Sequence, residues 1–327
     1  MKKAIGITMG DPKGIGPEIV AKAWRSMSEE ERSQLLIYGD HAALSAAAEL
    51  CSTAFDARRV VTTSSTSPPI QKVDDAEAAR LAISAIDAAV ADAESGRIAA
   101  IVTAPVNKMR MRSAVPNFFG HTEYLADAAG VKDAVMMFAS PDYIAPGTGV
   151  ALPKQLCVSL VTMHKAIRDV PSSVTTEKVL TSIRQTALAL ETHFACPDAR
   201  IAVMALNPHA GEGGSLGDEE KSAIAPAIAR ALKEGINCIG PLPADSLFRK
   251  LSDFDYDAVI AMYHDQGILP VKLLFQSGSV NVTLGLPYIR TSPSHGTAED
   301  LAWLGTADES GMTAAISLTR KLVGWQI

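Results

Sequence analysis

The sequence predicts an α/β protein whose mainly parallel sheet is covered by helices on both faces. Short apolar runs rich in β-branched residues alternate with longer Ala-rich segments of helical period, which is the pattern of βα units. With 327 residues, 47% hydrophobic and 20% charged, the chain can bury a large core and is long enough for two domains or one elongated α/β unit. No period of about 20 to 50 residues repeats, which excludes solenoids and propellers.

In order, the pattern places a strand at 4–8, a helix from Pro17, a strand at 35–38, a helix over 75–93 and a strand at 99–103. Residues 61–70 cluster Ser, Thr and Pro and read as a surface loop, and 140–152 reads as a second irregular connection. Strands follow at 155–162, 201–206, 237–239 and 258–262, with helices over 175–193 and 218–234.

Thirty Lys and Arg against 36 Asp and Glu give a net charge of −6. With no basic block, neither nucleic acid nor an anionic membrane is expected as a partner, because both need a dense cationic footprint. Small-molecule chemistry is the favoured class. The apolar run after Met1-Lys2-Lys3 is broken early by Gly10-Asp11-Pro12, too short for a signal sequence, and nothing approaches the roughly 18 apolar residues of a membrane span. Four scattered cysteines, Cys51, Cys157, Cys196 and Cys238, form no C-x-x-C pair. They read as reduced thiols, and the expected location is the cytoplasm.

Three histidines share one context. His164, His209 and His264 each lie just past the carboxyl end of an apolar strand, where open α/β sheets bind ligands. A lone strand-end His is most often structural, whereas three in parallel context point to a shared metal or catalytic site. An all-His set with open positions suits Zn²⁺, Mn²⁺, Co²⁺ or Ni²⁺ acting as a Lewis acid, and it loses metal as the imidazoles protonate below about pH 6.5. His41 and His193 lie in helical surroundings and read as surface or core residues.

Glycines and cations frame these histidines. Gly10-Asp11-Pro12-Lys13-Gly14-Ile15-Gly16-Pro17-Glu18 opens a helix, as a plain strand-to-helix turn or as a loop whose amides approach an anion. Ala210-Gly211-Glu212-Gly213-Gly214 reads as a flexible loop or as backbone brought close to a metal. Thr103 to Lys108 end a strand, and Gly120-His121-Thr122-Glu123 begins a helix with Thr122 as its cap. Lys272, Asn281 and Arg290 would bind a phosphate if they converge, Arg supplying the bidentate fork, and are otherwise surface residues. His295 to Ala302 reads as a turn into another helix.

Taken together, MGDPKGIGPEI, TAPVNK, GHTEYLA, TMHKAIRDVP, NPHAGEGG, GPLPADSLF, YHDQGILPVK, VNVTLGLPYIRTS and HGTA run in order from residue 9 to 298. In these motifs the chain resembles the 4-hydroxythreonine-4-phosphate dehydrogenase family, a branch of the β-decarboxylating dehydrogenases. The resemblance implies a two-domain isocitrate/isopropylmalate dehydrogenase-like α/β/α fold, with 1–130 plus 282–327 as the first domain, 131–281 as the second and the active site in the cleft. It implies a homodimer that shares its active sites, one metal ligand coming from the partner subunit.

The resemblance also implies roles. His164, His209 and His264 hold a divalent ion (Zn, Mn, Co or Mg), while His121, Thr122, Lys272, Asn281 and Arg290 bind the phosphorylated substrate. His121, Thr122, Lys272 and Asp265 form the catalytic set. Gly14, Gly16, His295, Gly296, Thr297 and Ala298 embrace NAD, with NADP as the alternative dinucleotide. The implied reaction is oxidation and decarboxylation of a 3-hydroxy acid 4-phosphate: 4-hydroxythreonine 4-phosphate in pyridoxine biosynthesis, or D-threonate or D-erythronate 4-phosphate in catabolic paralogues. A cis-dihydrodiol dehydrogenase and a phosphate acyltransferase are the more remote readings. The chain departs from the biosynthetic pattern at Asn107, where His is usual, over residues 109–119, at Leu273-Leu274, at Pro293-Ser294 and at Trp303.

Overall fold

The computed structural model describes residues 3–67, 69–140, 144–145, 149–152, 154–249 and 253–325. The chain forms two compact units, Met1–Lys132 with Leu286–Ile327, and Asp133–Gly285. Its elements begin with β1 (Ala4–Thr8), α1 (Gly16–Ser26), β2 (Leu35–Asp40), α2 (His41–Leu50), β3 (Val60–Ser64), α3 (Asp75–Glu94), β4 (Ile98–Thr103) and α4 (His121–Ala128). There follow β5 (Val135–Ala139), β6 (Cys157–Leu160), α5 (Thr176–Thr192), β7 (Ile201–Met204), α6 (Ala225–Lys233), β8 (Cys238–Leu242), β9 (Ala258–Ala261) and α7 (His264–Phe275). β10 (Val280–Leu284), β11 (Ile289–Pro293) and α8 (Ser310–Leu322) complete the series.

In the first unit the strands run β11-β4-β1-β2-β3, all parallel. β2 is buried at every residue, as expected of a parallel strand covered on both faces. α1 starts where Pro17 presets the first turn, and Arg25 suits its last turn. α3 is capped by Asp74, whose carboxylate accepts from Glu77 N at 2.7 Å, and buries Ala78, Ala82, Ala85 and Ala89. These methyl-sized side chains let the helix lie close to its sheet.

In the second unit the order is β8-β7-β9-β6-β5-β10, with β8, β7, β9 and β6 parallel and β5 antiparallel to both β6 and β10. Phe138, Val158, Leu160, Met204, Val259 and Phe275 meet in its core. The architecture is thus α/β with largely parallel sheets.

Several local expectations are corrected. Residues 61–70 are not all loop: Val60–Ser64 is an edge strand paired with β2, because the β-branched Val-Val-Thr-Thr run precedes the Ser/Pro cluster. The 218–234 helix starts with a π-helical turn at Glu220–Ile224 before α6. Thr122 does not cap α4; Gly120 holds that position, and Thr122 lies buried in the first turn. No helix follows His295 directly, because Ala298 (φ 37°) and Trp303 (φ 63°) take left-handed backbone and the chain coils until α8. Of the 140–152 connection, Ile144–Ala145 pairs with Val150–Ala151, while 141–143 and 146–148 lie outside the described residues.

Candidate active site

The first unit brings the glycine loops together. Strand order reverses at β1, so the loops leaving β1 and β4 diverge at a topological switch point, the usual ligand-binding crevice of an open sheet. Asp11 N donates to Pro105 O at 3.0 Å, joining the two loops. Gly10 has φ 74°, and a Cβ there would lie 2.6 Å from Pro105 O, so backbone occupies the side-chain space. Ile15 N donates to Thr297 O at 2.9 Å, and a Cβ on Gly14 would sit 2.9 Å from Thr297 Cβ. The glycine loop and the His295-Gly296-Thr297-Ala298 loop therefore touch along their backbones.

Glu18 locks this pair. Its buried carboxylate accepts from Ala307 N at 2.8 Å and Gly305 N at 3.3 Å and pairs with Lys22 Nζ at 2.9 Å. Lys22 in turn donates to Ala307 O at 2.6 Å, and Trp303 Nε1 donates to Pro12 O at 2.9 Å. The loop residues fit a dinucleotide. Nothing lies within 4 Å of where a Gly296 Cβ would be, which leaves room for a ligand. His295 Nε2 is a buried polar atom without a hydrogen-bond partner among the described residues, and such an atom calls for a ligand or water.

A cationic cluster occupies the same unit. Arg290, on β11 and 2% exposed, donates from Nη2 to Thr103 Oγ1 at 2.6 Å at the end of β4. Burial lowers its pKa to about 10, against the opposing pull of Glu123 and Tyr288, so it stays charged at neutral pH. His121 opens α4. Burial first, then the positive charges of Arg290 and Lys108, hold its pKa well below the ordinary imidazole value, so the ring is neutral. Its Nε2 is buried and has no hydrogen-bond partner among the described residues. A guanidinium, a neutral imidazole and a helix start form a cradle for a polyoxyanion.

The second unit holds the strand-end histidines. The rings of His164 and His264 lie 5.8 Å apart between centroids. That spacing fits one ion bound at about 2.0–2.1 Å from a nitrogen of each ring. His264 Nδ1 is hydrogen-bonded to Asp265 Oδ1 at 2.8 Å, which leaves Nε2 for a ligand and makes Asp265 an orienting partner. His209 stands on an exposed loop in which residues 209–213 all have positive φ. Among the described residues no group of three His, Cys, Asp or Glu is assembled for a metal ion, so His209 does not join the pair within one chain.

Glu220 anchors the His209 loop, and nothing in the sequence pattern pointed to it. Its carboxylate accepts from Leu206 N at 2.9 Å, Asn207 N at 2.8 Å and Asn207 Nδ2 at 3.0 Å. Burial pushes its pKa up, but the bonds from Asn207 and Leu206 prevail and keep it ionised. Glu220 is the first residue of the π-helical turn that precedes α6. Lys272 lies on α7, where burial lowers its pKa, and Asn281 lies on β10 with Oδ1 buried. Arg290, His121 and Thr122 belong to one unit and Lys272 and Asn281 to the other, so neither unit contains the whole substrate set.

No helix among the described residues is long and apolar enough to cross a membrane. The chain is 41% identical to a 4-hydroxythreonine-4-phosphate dehydrogenase of Geobacter metallireducens over 98% of this chain and 96% of that protein. It is 40% identical to a putative D-threonate 4-phosphate dehydrogenase of Bradyrhizobium diazoefficiens, over 97% and 96% of the two chains. Among solved structures, the 4-hydroxythreonine-4-phosphate dehydrogenase of Klebsiella pneumoniae superposes with a TM-score of 0.80 at 33% identity, covering 98% of this chain and 99% of that one. Residues 31–319 match the family described as pyridoxal phosphate biosynthetic protein PdxA, and to that family the chain belongs.

Proposed function

We propose that this chain is a metal-dependent, NAD-linked dehydrogenase that oxidises and decarboxylates 4-hydroxythreonine 4-phosphate to 3-amino-2-oxopropyl phosphate and carbon dioxide. The observation that carries this reading is the buried Arg290 guanidinium held against Thr103 beside neutral His121, in a chain of this family. Arg290, His121 and Thr122 bind the substrate phosphate, joined by Lys272 and Asn281. Binding energy from this non-reacting end is used to orient the reacting carbon. When bound, the dinucleotide accepts hydride and the divalent ion polarises the substrate hydroxyl. Lys272, whose ammonium is made a readier acid by burial, is the proton source for the carbon that loses carbon dioxide.

His164, His209 and His264 would hold the ion (Zn, Mn, Co or Mg), the set being completed across a homodimer. Gly14, Gly16, His295, Gly296, Thr297 and Ala298 would line the dinucleotide, NAD in preference to NADP. In this reading the first unit carries the cofactor loops and the second carries the metal histidines and dimer contacts. The four cysteines are free, and a cytoplasmic location fits them.

A second reading, oxidation of D-threonate 4-phosphate, is favoured by the Bradyrhizobium relative and by Asn107. The two substrates differ by an amine against a hydroxyl at one carbon, a difference that a site hydrogen-bonding that group discriminates strongly. NADH formation with Mn²⁺ or Zn²⁺, on both substrates in parallel and with a chelator control, decides between them. Chelator-sensitive turnover of 4-hydroxythreonine 4-phosphate supports the first reading, and preference for D-threonate 4-phosphate replaces it with the second. Silence on both would overturn the phosphorylated-substrate assignment and leave a cis-dihydrodiol or a non-redox role.

A further inference from the structure

We propose that Arg110 is a positioning residue for the dinucleotide, a latch that sets the His295–Glu299 segment against the Gly10–Gly16 loop. The inference rests on the reading that these two loops hold the cofactor.

Arg110 follows β4 in a segment unlike the biosynthetic pattern, and its side chain is only 6% exposed. Each of its three donor nitrogens reaches a carboxylate from a different part of the chain. Nη1 donates to Asp11 of the glycine loop, Nε to Asp75 at the start of α3 at 3.0 Å, and Nη2 to Glu299 at 2.9 Å. The planar guanidinium spreads these donors over three nitrogens in one fixed plane, a geometry that the single nitrogen of an ammonium on a flexible stem does not reproduce.

The carboxylates are themselves fixed to the loops. Asp11, 1% exposed, accepts from Lys13 N at 2.9 Å and from Asn107 N at 3.3 Å. Glu299 lies two residues beyond Thr297, whose carbonyl takes the Ile15 amide, and it accepts from Asn107 Nδ2 as well. Asn107 also caps the turn that carries Arg110, accepting from Met109 N at 2.9 Å and Arg110 N at 3.1 Å. Asn107 thus acts within the latch. Asp11, Asp75 and Glu299 converge on Arg110, with Lys13 Nζ at 2.6 Å from Asp75. Removing Arg110 leaves Asp11 and Glu299 to repel across the seam between the two loops, with the buried Asp11 uncompensated.

The test is a fluorescence titration of NADH into the purified full-length protein, beside steady-state kinetics. Arg110→Ala should weaken NADH binding about 10-fold or more and raise the KM for NAD. The KM for the phosphorylated substrate should stay within about twofold, and Arg110→Lys should recover only part of the affinity. Glu299→Gln, at a residue 39% exposed, cuts one arm of the latch without emptying a buried site and decides the matter if Arg110→Ala fails to fold. Arg58→Ala, removing an exposed pair with Asp56, should change nothing. Gly14→Val, which drives a side chain into Thr297, tests the underlying reading. If it weakens NADH binding while Arg110→Ala and Glu299→Gln do not, the latch is refuted and the cofactor loops stand. If none of the three changes NADH affinity, the loops do not hold the dinucleotide and the latch falls with them.

Discussion

Arg290 and Thr103 meet across neighbouring parallel strands, guanidinium to hydroxyl at 2.6 Å, with Arg290 almost wholly shielded from solvent. Holding a cation there costs desolvation, the cause that lowers the Arg290 pKa, and in the proposed function the substrate phosphate would offset it. Arg290→Ala should therefore raise the KM for the phosphorylated substrate and lower kcat, since the same contact orients the reacting carbon. A charge-assisted bond of about 1.5–3 kcal/mol sets the expected loss in kcat/KM at roughly 10- to 100-fold. An unchanged KM would move the phosphate site elsewhere.

His121 gives a pH signature. Its folded pKa lies below the ordinary imidazole value through burial, then Arg290 and Lys108, so the unfolded chain takes up the proton first. The stability from keeping His121 neutral is full above about pH 6.5 and is lost as pH falls from there toward the folded pKa. Thermal melts between pH 7.5 and 5 should show a shallower decline for His121→Asn than for the parent protein. Parallel curves would mean that the ring titrates normally.

Glu18 is a structural pin rather than a ligand. Glu18→Ala removes one member of a buried ion pair and orphans the Ala307 amide, and breaking such a pair costs about 3–5 kcal/mol. Denaturant melts should show that loss, with Glu18→Gln in between because an amide oxygen can still accept from Ala307 N. Equal stability for all three would show that the pin contributes nothing.

Glu220 should act on metal binding through Asn207 and the loop of His209. Glu220→Ala releases two backbone amides and the Asn207 side chain, and the expected weakening is about 10-fold or more, as for other supports of metal ligands. A competition titration against a chromogenic chelator measures it. Unaltered affinity would detach His209 from the metal site.

What the sequence determined by itself was local or carried by motif. Apolar period placed β1, β4, α3 and α5 within a residue or two, because strands buried on both faces and capped amphipathic helices write their periodicity directly. The position of His164, His209 and His264 beyond three strand ends was legible for the same reason. Tertiary structure decided what depends on partners distant in the chain. β3 is a strand because β2 offers it an edge, and Glu18 is a buried pin because Ala307, 289 residues away, supplies the amide. The convergence of Asp11, Asp75 and Glu299 on Arg110 follows only when the switch point brings β1 and β4 side by side, since no sequence spacing encodes contacts across 99, 35 and 189 residues. The pairing of His164 with His264, but not with His209, was likewise settled by packing. β6 and β9 are neighbours in the sheet, whereas His209 stands exposed on a loop of left-handed backbone.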